Sequence, residues 1–316
     1  MANTYGKVSG TFQEINNAYG KVSGTWQEVD EIYGKVSGVW KLVFSAFTAT
    51  SFTTLSSGSG NFVVPDNANA IHIQAGVGGG GGAAGGVSYD KAGGESAGAG
   101  GGSGAYVSDV VYSINPGETI SYLIGTGGAP GNQTSNFNQP RIASAGTATS
   151  ISASSSGSLA ALAAGGGSSG TGGGVQGPLR TNTRGSAGAL SGTGTAITSG
   201  SFRDTDGVTK SVTTLTSGPA GSFNSSGNGV VGILSGSGNC GGDNCQIGGF
   251  AGGASFNGQV AGGTGSPQGG SSGGVAGTRG SGGGGGGAQY GNENVTGLGA
   301  AGGDGQIIYR FLRVSS

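Results

Sequence analysis

Glycine falls in tracts at 78–86, 98–104, 165–174, 248–254, 261–265 and 282–287, and 79 of the 316 residues are glycine. Glycine loses more conformational freedom on folding than any other residue, so such tracts need dense backbone bonding to become ordered. They suit the polyproline-II helix, which has three residues per turn and no internal hydrogen bonds. With no Cβ in the way, helices of this kind can approach closely enough to bond one another. The pattern argues against a collagen triple helix. Glycines at 274, 277, 280, 283 and 286 keep period three, but the phase fails elsewhere and the chain has only 7 prolines. Disorder is the competing reading for 165–300, where glycine, serine, threonine and alanine dominate.

Outside the tracts the pattern is that of strands. Phe62–Val64 leads through a Pro65-Asp66 turn to Ile71, Ile73 and Ala75, which alternate with His72 and Gln74. A second run ends near Ile114, turns at Asn115-Pro116-Gly117-Glu118 and continues to Ile124. "TATSISASSSGSLAALAA" is a weaker pair, and "QIIYRFLRV" (Gln306 to Val314) closes the chain. Alternation broken by Pro/Gly turns predicts an antiparallel β-sandwich. The expected fold is all-β: a repeat stem at 1–50, a sandwich part with short glycine tracts at 51–164, a glycine-rich polyproline-II insertion at 165–305, and a closing strand at 306–316.

The first 46 residues repeat a fourteen-residue phrase three times, beginning at Tyr5, Tyr19 and Tyr33. Aromatic residues recur every seven positions, at Tyr5, Phe12, Tyr19, Trp26, Tyr33 and Trp40, and so do the aliphatics Val8, Ile15, Val22, Val29, Val36 and Val43. Heptad spacing admits a coiled coil. Two glycines per unit, each costing a helix about 1 kcal/mol relative to alanine, favour short strands with a Ser-Gly turn. In that hairpin Val8 faces Thr11, and the lysine stems cross aromatic rings as Lys7/Phe12, Lys21/Trp26 and Lys35/Trp40. Strands this short bury too little alone, so the units should stack or meet those of other subunits, as an attachment or oligomerisation stem.

Reactive side chains are few. Charged residues are 9% of the chain and the formal net charge is −1, which gives nucleic acid no electrostatic reason to bind. The start of the chain lacks a basic and apolar leader pattern, and no apolar run reaches the roughly 20 residues of a membrane span. The one histidine, His72, is expected to be a solvent-facing strand residue. Cys240 and Cys245 frame "CGGDNC"; a local disulfide and two free thiols both stay open, and a zinc site lacks ligands. Gly236, Gly238 and Gly241 match G-x-G-x-x-G without a following helix. Asp204 to Gly207 lacks the other ligands of a calcium loop and reads as a solvated turn. The expectation is a protein that is not an enzyme and carries no cofactor or metal.

Departures from glycine mark where recognition would sit, since binding residues concentrate on loops held by a rigid scaffold. "VSYDKAGGES", "GNQTSNFNQPR", "GPLRTNTRG" and "SFRDTDGVTK" combine aromatic, charged and amide side chains. Tyr89, Phe137, Arg180, Phe202 and Arg203 are the candidate receptor contacts.

"NFVVPDNANAIHIQAGVGGGGGAAGG", "GGSGAYVSDVVYSINPGETISYLIGTGG" and "GGGGGGAQY…GAAGGDGQIIYRFL" occur in the order found in glycine-rich domains of bacteriophage tail-fibre and other virion proteins, which the chain resembles. It is similar also to the glycine-helix tip adhesins of T-even-like phages, and "YGKVSGTW" resembles stem repeats of marine phage structural proteins. The resemblance covers 58–164 and 281–313. It implies a virion appendage component, a homo-oligomer with a trimer favoured, that joins other virion proteins through its stem. The resemblance identifies no receptor; the aromatic and polar loop residues suit a host cell-surface glycan or outer-membrane protein. Two alternatives remain: a purely structural virion or extracellular filament component, and an ice-binding glycine-helix protein. The second lacks the flat period-three threonine array it requires.

Overall fold

The computed structural model describes residues 5–8, 11–14, 18–29, 31–36, 38–45, 47–83, 100–131, 143–154, 159–164, 185–186, 188–215, 246–247, 276–277, 279–280, 283, 288–289 and 298–314. It is all-β and built from antiparallel sheets, and the only helix among the described residues is a 3₁₀ turn at Val212–Thr214.

The repeat folds as three hairpins rather than a coiled coil. They are β1 (Tyr5–Val8) with β2 (Thr11–Glu14), β3 (Ala18–Val22) with β4 (Thr25–Val29), and β5 (Glu31–Val36) with β6 (Val39–Ser45). The expected pairs are present: Lys7 opposite Phe12, Lys21 opposite Trp26 and Lys35 opposite Trp40. In the second hairpin Ser23 and Gly24 take φ of 51° and 87°. Positive φ at both central residues is the type I′ turn, whose twist matches paired strands; a helix would allow neither. Tyr19, Trp26 and Tyr33 are 58%, 67% and 52% exposed.

The body contains two larger sheets. Its strands are β7 (Thr53–Leu55), β8 (Ser59–Val63), β9 (Ala70–Val77), β10 (Tyr106–Ser113), β11 (Thr119–Leu123), β12 (Thr149–Ala153), β13 (Leu159–Ala164), β14 (Leu190–Gly194), β15 (Ser201–Arg203), β16 (Thr209–Ser211), β17 (Gln246–Ile247), β18 (Ala288–Gln289) and β19 (Gln306–Leu312). One sheet runs β10-β9-β19-β7, the other β14-β13-β12-β11-β8. The Pro65-Asp66 and Pro116-Gly117 turns therefore carry the chain from one sheet to the other. Ile71, Ile73, Ile307 and Phe311 of the first sheet meet Ile120, Ile151 and Leu159 of the second in one core. Phe62 stacks on Tyr309 at 4.6 Å within it. Within the span read as an insertion, β14 extends the five-stranded sheet and β15–β16 forms a separate hairpin.

The strands of both sheets run on into glycine-rich tracts that are neither helix nor sheet. Tract 78–83, continuing β9, donates its successive amides to three neighbours in rotation: Gly78 to Ala105, Gly79 to Thr147, Gly80 to Gly303, Gly81 to Gly102, Gly82 to Ser144 and Ala83 to Ala300, at 2.8–3.0 Å. The partner numbers fall by three as the donor rises by three, so all three neighbours run antiparallel to it. This is the three-residue period of the polyproline-II helix. Tract 125–131 runs parallel to the central one, with Gly128 N donating to Gly80 O and Gly131 N to Ala83 O. Segments 100–105, 143–148 and 298–305, with Gly185, Ser186 and Gly188, complete an array around it.

Glycine is required where tracts face one another. A Cβ built on Gly79, Gly82, Gly101, Gly127 or Gly302 would collide with a neighbouring backbone carbonyl. The hydrogen that occupies that direction makes the Cα–H···O contact typical of closely packed backbones. At the rim, side chains take over as acceptors: Ser144 Oγ for Ala129 N, Thr147 Oγ1 for Thr126 N and Asp304 Oδ1 for Gly127 N. The tracts expected at 165–174, 248–254 and 261–265 lie outside the described residues.

Gly101→Ala should destabilise the chain by about 3 kcal/mol or more, because an overpacked backbone contact cannot relax by a rotamer change. Gly76→Ala, whose Cβ would sit 3.7 Å from the Ile73 side chain, should shift stability by less than about 1 kcal/mol. Urea denaturation of both variants tests the pair, and equal losses would contradict the array.

Candidate functional site

The outer face of the sheet containing β9 and β19 carries a seam of charge between two apolar patches. Alternation in β9 points Ile71 and Ile73 into the inter-sheet core and His72 the other way. On β19 it does the same with Arg310, between Tyr309 and Phe311. His72 pairs in register with Arg310 on one side and Val111 on the other. Ala70, Leu312, Val111 and Phe202 pack on one flank of the seam, and Ala75, Val77, Tyr106 and Ile308 on the other.

Pairing is interrupted at Gln74 and Asp109. Ala75 pairs with Ser108 and Ile73 with Val110, while β19 passes directly from Ile308 opposite Ala75 to Tyr309 opposite Ile73. Gln74 is thus the extra residue of a bulge, and Asp109 takes φ 47°, a left-handed conformation that aspartate tolerates better than most residues. The irregularity brings the Asp109 carboxylate onto His72, with Oδ1 3.2 Å from Nε2. Gln74 is fully buried, and neither carboxamide atom bonds a described residue.

Arg310 occupies the middle of the seam and is 5% exposed. Its Nη1 donates to Asp204 Oδ1 at 2.6 Å and its Nε to His72 Nδ1 at 3.3 Å. Its guanidinium lies 4.5 Å from the Phe52 ring centre and 5.3 Å from that of Phe202, a cation held between two aromatic faces. Lys210 Nζ donates to Asp204 Oδ2 at 2.7 Å and lies 3.0 Å from Asp206.

These partners set the titration of the seam. Burial lowers the His72 pKa below its ordinary 6.5, and the Arg310 charge adds to this, while the Asp109 hydrogen bond opposes it. Burial pushes the Asp204 carboxyl up, but hydrogen bonds from Lys210 and the Thr205 amide, together with the Arg310 charge, outweigh it and hold the group at about 2.

Three sequence expectations change here. His72 is not solvent-facing; it is 2% exposed because segments 47–52 and 201–212 cover this face. Phe202 is not at the surface to meet a receptor. It is 2% exposed, since β15 alternates and turns residue 202 inward against Arg310. Arg203 is half-buried, and its carbonyl accepts from Ala49 N at 2.8 Å. The turn at Asp204–Gly207 is present, with Asp204 buried and ion-paired rather than solvated. Sequence reasoning missed Arg310 and Asp109; an arginine inside the apolar run "IIYRFL" was the available signal. Tyr89, Phe137, Arg180, Cys240 and Cys245 lie outside the described residues. Of the stem aromatics, side-chain placement is described for Tyr19, Trp26 and Tyr33.

A second feature lies in the array, away from the sheets. Ala83 N donates to Ala300 O at 2.9 Å, and Gly131 N donates to Ala83 O at 3.0 Å. Residues 83, 131 and 300 are therefore level and bonded together. Ala83 precedes 84–99, which holds Tyr89; Gly131 precedes 132–142, which holds Phe137; Ala300 closely follows 284–297.

Arg310→Ala should cost about 3–5 kcal/mol, the usual consequence of stranding buried charged partners, measured by chemical denaturation near neutral pH. The pH response follows from linkage. His72 has a lowered folded pKa, so the unfolded chain gains the proton first and stability falls as pH drops below 6.5. Asp204 contributes stability above 3.8 that is lost as pH falls toward about 2. Stability should decline in two stages on acidification, with the first absent in His72→Gln.

A search of the curated proteins finds no match to this chain. A family model described as "Glycine-rich domain" matches residues 53–312, which takes in both large sheets, the charged seam and the whole array. Nearly the entire body of the chain is thereby accounted for, and the chain belongs to the glycine-rich domain family.

Proposed function

We propose that the chain is a non-enzymatic structural protein of a phage virion, a tail-fibre or appendage component that contributes to host-surface attachment. The observation that carries this reading is the level arrangement of Ala83, Gly131 and Ala300. In the sequence, the stretches holding Tyr89 and Phe137 follow directly on Ala83 and Gly131. Recognition loops gain most from a scaffold of this kind, because a rigid base lowers the ordering cost of binding. The combination of aromatic and polar side chains in "VSYDKAGGES" and "GNQTSNFNQPR" suits a cell-surface glycan or an outer-membrane protein. Arg203 is the other described candidate, at the seam rather than in the array.

The stem supplies attachment to the particle in this reading. Isolated two-stranded hairpins are marginal in water, and Tyr19, Trp26 and Tyr33 are more than half exposed. Covering them with the stems of other copies, a trimer being favoured, or with other virion proteins would stabilise both. The protein's place is then the virion. The exposed stem aromatics also support the second reading, a purely structural virion or filament component without receptor contact.

Purified full-length chain should sediment as a multimer and bind intact cells of the virus's host. Trp26→Ala with Trp40→Ala should shift it toward monomer without altering body stability. Tyr89→Ala with Phe137→Ala should weaken cell binding about tenfold or more, the scale expected for aromatic anchors. A monomer that binds neither cells nor virion proteins would overturn the proposal, and a multimer indifferent to the loop variants would select the second reading.

A further inference from the structure

The stem joins the body through residues 47–52, and that joint is seated on the charged seam. Ala49 N donates to Arg203 O at 2.8 Å and Thr50 N to Phe311 O at 3.0 Å. Phe311 N returns a bond to Thr50 Oγ1 at 2.9 Å. The joint is thus gripped between β19 and β15. Phe52 covers the Arg310 guanidinium and meets the His72 ring edge-on at 5.5 Å. The β15–β16 hairpin is held by the same guanidinium, through Asp204 and the face of Phe202. One side chain therefore organises both segments laid over the sheet.

The position of Arg310 depends in turn on the protonation state of His72. Arg310 Nε can only donate, so Nδ1 of His72 must be the acceptor and the ring proton must sit on Nε2, toward Asp109. A second proton on the ring would set N–H against N–H at 3.3 Å and one cation beside another. We propose that the seam is a proton-operated joint: protonation of His72 displaces Arg310 and releases residues 47–52 and the β15–β16 hairpin from β19, while the glycine array stays closed.

Every element packed around the ring enters this balance. β10 contributes Asp109 and the β15–β16 turn contributes Asp204, and both attract the proton. β19 contributes Arg310, which repels it. Lys210 and Asp206 act one step away, through Asp204. Segment 47–52, Phe-Thr-Ala-Thr-Ser-Phe, brings no charge. Burial and Arg310 keep the ring neutral at neutral pH, so the joint is closed there and opens on acidification. It does so before Asp204, held at about 2, loses its charge. Apart from the rim bond from Gly127 N to Asp304, the array is held through amides, carbonyls and hydroxyls that do not titrate in this range. The stem would then be fixed in direction at neutral pH and free to swing in mild acid.

Hydrogen exchange of the full chain, followed by mass spectrometry between about pH 7.5 and pH 4.5 and corrected for intrinsic rates, tests the proposal. Protection of 47–52 and 201–212 should fall roughly tenfold or more across this range, while that of 78–83 stays unchanged. The chain has 1 histidine, so its imidazole NMR signal is unambiguous, and its titration midpoint should coincide with the loss of protection. His72→Gln, whose carboxamide can accept from Arg310 and donate to Asp109 without titrating, should hold protection flat. The same pH response in wild type and His72→Gln would overturn the proposal, as would a loss shared equally by 78–83. Should the variant fail to fold, the wild-type coincidence decides alone: opening at a pH away from the imidazole midpoint rejects the joint.

Discussion

Six consecutive amides in tract 78–83 have no partner within their own segment, and everything around them is arranged to supply one. A helix of three residues per turn points each amide a third of a turn from the last. Satisfying all of them therefore takes three neighbours, each bonded at every third residue. The chain must return to the same axis several times, which it does from β10, β12 and β19. Sheets and array depend on each other: pairing between strands sets the register in which tracts meet, and the tracts extend that register without side chains. Close approach excludes any Cβ on the facing positions, so the glycine content follows from geometry.

Much of this was legible in the sequence, and the exceptions have physical causes. Alternation and turn residues revealed the strands around Phe62, Ile71, Tyr112 and Ile307. The Ser-Gly turns revealed the stem register down to the lysine–aromatic pairs. Segment 143–148, "ASAGTA", did not look like a tract. A rim member needs glycine only where it faces the centre, and Gly146 alone fills that place while Ser144 and Thr147 bond through their hydroxyls. His72 and Phe202 were misplaced for a different reason. Their burial depends on segments 47–52 and 201–212 folding over one sheet, a contact between distant stretches that no local period encodes. The turns after β8 and β10 were legible as turns, but that they change sheets is a choice made by the shared core.

The charged seam is the one place where side-chain chemistry outweighs backbone geometry. Burying Arg310, His72 and Asp204 together adds little net stability, because desolvation offsets much of the attraction. What it adds is placement. A guanidinium with a carboxylate at its tip, an imidazole at its Nε and an aromatic ring on each face has a single satisfactory orientation, and the segments that supply those groups inherit it. An apolar face would accept the same segments in several registers.

The antiparallel array also has a mechanical consequence. Tension between the stem root and the far end runs along the tract axes and across the bonds that join them. Those bonds would be loaded in shear and together, as in a lap joint, rather than peeled apart in turn. Rupture would then require many weak bonds to fail at once, so a chain with almost no side-chain core along this length can still bear load along its axis.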